Sequence, residues 1–164
     1  MTTRNPPNLA APVEPSEPEP SATVSELKAL EAAKRYLAVM PFSHSGLIEQ
    51  LEYKGFGGSD SKYAADNCGA DWDAQALRSA KNYLNTMPFS YSGLQEQLEY
   101  EGYTQSQAKY GADRCGADWN EQAARSARNY LSIMPMSATK LHTQLVFERY
   151  TESQASYGVK TAGL

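Results

Sequence analysis

The sequence predicts an all-α fold: three tandem 47-residue three-helix units, helix-turn-helix-like, behind a disordered Pro/Glu-rich tail. Three observations carry this. The string Tyr36, Leu37, Ala38, Val39, Met40, Pro41, Phe42, Ser43 returns at Tyr83–Ser90 and at Tyr130–Ser137, a step of 47 residues each time with no insertion. Aligned without gaps, the first two units agree at 27 of 47 positions and the last two at 25 of 47. Within each unit, apolar residues recur at helical spacing between proline, glycine and capping residues. A fixed period of this size signals stacked copies of one supersecondary module.

Residues 1–23 read as a disordered tether. They hold six prolines, at positions 6, 7, 12, 15, 18 and 20, with Glu14, Glu17 and Glu19 between them and only Leu9 and Val13 as large aliphatics. Such a segment buries too little apolar surface to offset the entropy of ordering. The units follow at 24–70, 71–117 and 118–164, with helices expected near 25–40, 43–54, 59–68, 72–87, 90–101, 104–115, 119–134, 137–148 and 151–160.

The second unit shows the logic. Asp71 caps the first helix, whose apolar face is Ala76, Ala80, Tyr83, Leu84 and Met87. Pro88 stops it, because proline lacks an amide and disfavours helix at the residue before it. Ser90 caps the second helix, with Tyr91, Leu94 and Leu98 as its stripe. Gly102 suits the left-handed residue that ends it. Thr104 opens the third helix with Gln107 in capping-box position, and Ala108, Gly111, Ala112 and Cys115 line its inner side. In the third unit Asp118 is the cap, with Glu121 expected to complete a capping box. The first unit has Gly57-Gly58-Ser59 where the second has Thr104-Gln105-Ser106, so its turn should be looser. It also has Ser25 in place of tryptophan. The third unit carries Arg149 at the turn glycine and Ala162 at the cysteine.

Composition excludes several function classes. Fifteen basic and nineteen acidic residues leave a net charge of -4, and no cationic cluster offers the footprint that phosphate neutralisation needs, so no nucleic-acid partner is expected. No stretch reaches the roughly 18 apolar residues of a membrane span. The N-terminus shows no apolar signal core and no cysteine able to carry a lipid. Membrane attachment is therefore expected only through a lipid anchor outside this chain.

No catalytic or metal-binding residue and no cofactor is expected. Cys68 and Cys115 occupy equivalent places on third helices and read as buried, reduced thiols acting as small hydrophobes. A disulfide would need α-carbons within about 7 Å, whereas equivalent points on neighbouring modules lie a module width apart. His44 and His142 are not at equivalent positions, and neither recurs with a partner. The candidate binding residues are recurring aromatics, Tyr53, Phe56, Tyr63, Tyr100, Tyr103, Tyr110, Tyr150 and Tyr157, because tyrosine joins a rigid apolar body to a polar tip. Core packing is the plainer role for most of them. Trp72 and Trp119, each directly after a cap, are expected at the joints between units. Glu49, Glu52, Glu96 and Glu99 give the first two units an acidic side that the third lacks.

The repeat resembles that of the Ltp family, the host cell surface-exposed lipoproteins of Gram-positive bacteria and their temperate phages. The resemblance rests on Ala80-Lys81-Asn82-Tyr83-Leu84, Met87-Pro88-Phe89-Ser90, Leu94-Gln95-Glu96-Gln97-Leu98, Glu101-Gly102-Tyr103-Thr104, Ala108-Lys109-Tyr110 and Asp118-Trp119, and it spans residues 24–164. It implies a surface-exposed, non-enzymatic protein that acts in superinfection exclusion, blocking DNA injection by engaging the tape measure protein of an incoming phage. The expectation is a monomer whose repeats grip an elongated protein partner, with the tail supplying reach. The alternatives are a DNA-binding tandem helix-turn-helix protein and a structural cell-surface module without a phage role.

Overall fold

In a computed structural model, residues 21–164 are described; the tether expected over 1–23 lies almost wholly outside them. Among the described residues there are nine helices and no strand: α1 (Val24–Val39), α2 (His44–Tyr53) and α3 (Gly58–Asn67) in the first unit, α4 (Trp72–Thr86), α5 (Tyr91–Tyr100) and α6 (Gln105–Arg114) in the second, α7 (Trp119–Ile133), α8 (Ala138–Phe147) and α9 (Glu152–Thr161) in the third.

The boundaries follow from local chemistry. Asp71 accepts from the Ala74 amide, Ser90 from Gly93 and Thr104 from Gln107, whose side chain returns a bond to the Thr104 amide. Thr23 with Glu26 and Thr151 with Gln154 form the same reciprocal box. The box expected at Asp118 is half-formed. Asp118 accepts from Asn120 and Glu121 amides, but the Glu121 carboxylate turns to Arg128 at 2.5 Å, a charged partner being the stronger attraction. Gly57 caps α3 without any side-chain bond, but the turn before it is not looser as expected. The Gly55 amide donates to the Glu52 carbonyl at 2.9 Å and the Phe56 amide to the Leu51 carbonyl at 3.2 Å, as those of Gly102 and Tyr103 donate to Glu99 and Leu98 at 2.9 and 3.1 Å.

Each unit packs its three helices on one another around its own core, and no extensive helix-on-helix packing joins different units. Ala76, Ala80, Leu94, Leu98, Ala108 and Ala112 are buried in the second unit, with Ala29, Ala33, Leu47 and Leu51, and Ala123, Ala127, Leu141 and Leu145, at the equivalent places elsewhere. Alanine on the first and third helices lets their backbones approach closely. Gly111 and Gly158 take this furthest: a Cβ there would stand 2.9 and 2.8 Å from the Ala76 and Ala123 carbonyl oxygens.

Two expectations about the core need correction. Met87 is 51% exposed, because the helix ends at Thr86 and the extended backbone at Met87 swings its side chain off the buried face. Cys68 and Cys115 are free but only half-buried. They are the cap residues after α3 and α6 rather than interior ones, and each thiol points back at a carbonyl one turn earlier, Ala65 or Ala112.

Candidate functional site

The units meet through a small, twice-used set of contacts. Arg78 Nη1 donates to the Leu37 carbonyl and Arg125 Nη1 to the Leu84 carbonyl, each at 3.0 Å. These acceptors lie in the last turn of the preceding unit's first helix, where carbonyls lack helical partners and the dipole favours a cation. Ser43 Oγ donates to the Glu101 carbonyl at 2.5 Å and Ser90 Oγ to the Glu148 carbonyl at 2.6 Å. Both serines also cap their own helices, so one buried hydroxyl starts a helix and ties down the turn of the next unit.

The tryptophans sit at these joints, on the side of the preceding unit. Trp72 meets His44 edge-on with ring centroids 5.2 Å apart, and Trp119 meets Tyr91 at 5.5 Å. Each belongs by sequence to one unit and packs on the core of the unit before it. The ring beneath is held by a carboxylate: His44 Nε2 lies 2.7 Å from Asp66, and the Tyr91 hydroxyl donates to Asp113 at 2.7 Å. Lys62 and Lys109 pair with the same two carboxylates. Hydrogen bonds from Lys62 and His44 hold Asp66 below the usual carboxylate range, and those from Lys109 and Tyr91 do the same for Asp113. The lysines of α3 and α6 are thereby neutralised, and Arg114 lies over the Tyr110 ring, so these two helices offer phosphate little unpaired charge.

The expected aromatic strip divides in two. Tyr53 and Tyr100 are 83% and 86% exposed, and Phe147, equivalent to them, 81%. Tyr157 is exposed, while Phe56, Tyr63 and Tyr110 are half-buried. Tyr103 and Tyr150 do not belong to a binding strip: both are buried, because the left-handed residue before each, Gly102 or Arg149, turns the chain back over its own core. Burial pushes the Tyr103 hydroxyl up to about 12 and the Tyr150 hydroxyl higher still. Tyr150 donates to the Gln122 carbonyl at 3.2 Å. The Tyr103 hydroxyl faces Ser79 but makes no hydrogen bond of full geometry.

Some of the exposed apolar residues gather at a joint. Between the second and third units an open groove of about 500 Å³ is lined by Met87, Phe89, Tyr130, Ile133 and Phe147. Met87, Ile133 and Phe147 are 51, 74 and 81% exposed. Glu148 lies on its wall, taking bonds from Tyr130, Ser126 and Gln144. Glu96 on one bank pairs with Arg149 on the other. No helix among the described residues is long and apolar enough to cross a membrane, and no group of three or more His, Cys, Asp or Glu could hold a metal there.

A sequence profile described as host cell surface-exposed lipoprotein, Lipoprotein_Ltp, matches residues 26–68, 71–114 and 118–161. The chain belongs to this family. Each match coincides with one three-helix unit. Among solved structures, the chain is similar to Ltp, a superinfection exclusion protein from the Streptococcus thermophilus temperate phage TP-J34, at 29% identity and a TM-score of 0.55, covering 57% of this chain and 98% of that one. That share of this chain is about two units. No curated protein matches. The family is described as exposed on the host cell surface.

Proposed function

We propose that this protein acts in superinfection exclusion, binding the tape measure protein of an incoming phage and holding it so that DNA does not enter the cell. The observation that carries the proposal is that all three units fall within the family whose similar solved member is a superinfection exclusion protein. The geometry supports a binding role. Three rigid modules are joined in series by repeated contacts, and apolar side chains that the cores leave uncovered gather at a joint, where a segment crossing from one unit to the next would touch them. Linked weak contacts raise effective concentration without requiring one deep site.

The test is display of the chain on the surface of a phage-sensitive host. Exclusion by this route leaves adsorption of the challenging phage intact and stops the release of its DNA into the cell. Purified protein should also bind fragments of that phage's tape measure protein in solution. Loss of adsorption instead of injection, or protection with no measurable tape measure binding, would overturn the proposal.

A further inference from the structure

The two joints are built alike but differ in one charge. At the second, Arg149 of the third unit crosses to Glu96 of the second. Arg149 adopts a left-handed backbone, φ 69°, where its counterparts are Gly55 and Gly102; a non-glycine residue is strained there, so this cation is placed against a local conformational cost. At the first joint the counterpart of Glu96 is Glu49, and the counterpart of Arg149 is Gly102, which has no side chain to offer. Glu49 has no ion-pair partner among the described residues. Close by, Glu101 takes its bonds from Tyr83 and Gln97, both neutral.

By the 47-residue step, the first joint's counterparts of the groove residues are Met40, Phe42, Tyr83 and Tyr100, with Thr86 in the place of Ile133. Met40 and Tyr100 are 50% and 86% exposed and hold the places of Met87 and Phe147. Phe42 packs edge-on against Tyr36, as Phe89 does against Tyr83. The same serine and arginine contacts fix both joints, so these side chains stand in the same relation across each. The charge asymmetry continues along the chain: the first unit has five basic and six acidic residues, the second four and six, the third five and four.

We propose that the joint between the first and second units is the docking site for a cationic, apolar segment of the protein partner. A lysine or arginine of that segment takes the place against Glu49 that Arg149 takes against Glu96, and an adjoining large apolar side chain lies on Met40 and Tyr100. The second joint, its carboxylate already satisfied from within, accepts apolar contact without charge selection. This rests on the protein-binding reading above and adds a partner chemistry and a location to it.

The full chain labelled at its methionine methyl groups reads the two joints separately, through Met40 and Met87, with Met134 and Met136 reporting the far end. The probes are three helical peptides of equal length built from leucine and lysine, leucine and glutamate, or serine and lysine. The leucine/lysine peptide should shift Met40 first, and the other two should leave it in place. Glu49→Gln, at an exposed site, should weaken that binding about fivefold, the upper range for an exposed charge pair. Arg149→Gly, which suits the left-handed turn, should uncover Glu96 and make Met87 respond as Met40 does. An equal response to the serine/lysine peptide, a first response at Met87 or Met134, or no effect of Glu49→Gln would overturn the proposal. Tape measure fragments that bind with Met40 unmoved would sink this site and leave the exclusion function standing. A leucine/lysine peptide that binds at Met40 while no tape measure fragment binds would do the reverse.

Discussion

The Ser90 hydroxyl donates to the backbone carbonyl of Glu148, 58 residues along the chain, at 2.6 Å, while accepting the amide of Gly93 at 3.1 Å. Ser43 repeats both bonds with Glu101 and Gly46. Gly46 and Gly93 belong to the same arrangement. A Cβ there would stand 2.9 Å from the serine oxygen and 3.5 or 3.8 Å from the acceptor carbonyl. A single buried hydroxyl thus couples helix initiation in one unit to the position of the next, which is how units sharing no extensive helix packing remain one array.

Ser90→Ala should cost more than an ordinary cap. Losing the cap removes about 1 kcal/mol, and leaving the Glu148 carbonyl unpartnered adds roughly 1–3 kcal/mol. Denaturant unfolding of this variant should show a larger loss than Ser137→Ala, whose hydroxyl caps α8 but reaches no further unit. Equal losses would mean that the inter-unit bond contributes nothing.

Trp119→Ala should loosen the second unit, although Trp119 begins the third. Its ring packs on the core formed by Leu94, Leu98 and Ala112 and on Tyr91. Truncating a large aromatic in such a place costs about 3–5 kcal/mol when fully buried and less here, since the ring is half-buried. Hydrogen exchange should rise in α5 and α6 more than in α8 and α9. The opposite ranking would show that the tryptophan serves its own unit.

Alkali should unfold the protein through its buried tyrosines. Tyr103 ionises near 12 in the folded chain against 10.0 for an ordinary tyrosine. An acid whose folded value is raised leaves stability intact below the unfolded value. It loses that stability as pH climbs from 10.0 toward 12, because only the unfolded chain ionises there. The loss is on the order of 2–3 kcal/mol per such group. Tyr103→Phe should flatten the fall in stability between pH 10 and 12, and tyrosinate absorbance should rise together with unfolding in the parent chain. An unchanged slope in the variant would assign alkaline unfolding to other groups.

The helices were legible because proline, glycine and capping residues mark nearly every end, three times over. The joints were less so. Arg78 and Arg125 sit among ordinary surface positions of their helices, and no local rule says that they cross to a carbonyl 41 residues earlier. Ser43 and Ser90 were readable as caps, but their second bond goes to a backbone atom of another unit, and backbone acceptors leave no mark in the sequence. The aromatics misled for a geometric reason. Tyr100 lies two residues after the core residue Leu98, so the helical period turns it outward. Tyr103 lies past a left-handed residue that reverses the chain and brings it in. A periodicity argument ends at Gly102, and the division between exposed and buried tyrosines begins there. In the sequence Arg149 is only a departure from glycine; its left-handed φ and its pairing with Glu96 together give it a role at the joint.

The outer faces of the first and third units lack the side chains that make the joints, so the array should lengthen stably only from the middle. The first unit has Ser25 and Glu31 where the others present Trp72 or Trp119 and Arg78 or Arg125, so it carries no ring for a preceding unit and would aim a carboxylate at that unit's carbonyl. The third unit has Ala138 where His44 and Tyr91 receive a tryptophan, and Lys140 where Gly46 and Gly93 leave room for the next turn. Only the second unit is complete on both faces. Inserting a second copy of residues 71–117 after position 117 should therefore give a longer, fully folded chain. Each added joint brings its own stabilising contacts, as expected for nearest-neighbour arrays. Appending a copy of residues 118–164 after Leu164 should instead add a unit that docks on nothing and melts separately. Small-angle scattering and hydrogen exchange on the two lengthened chains distinguish these outcomes. If the appended unit is as protected as the inserted one, the residues at the ends do not terminate the array.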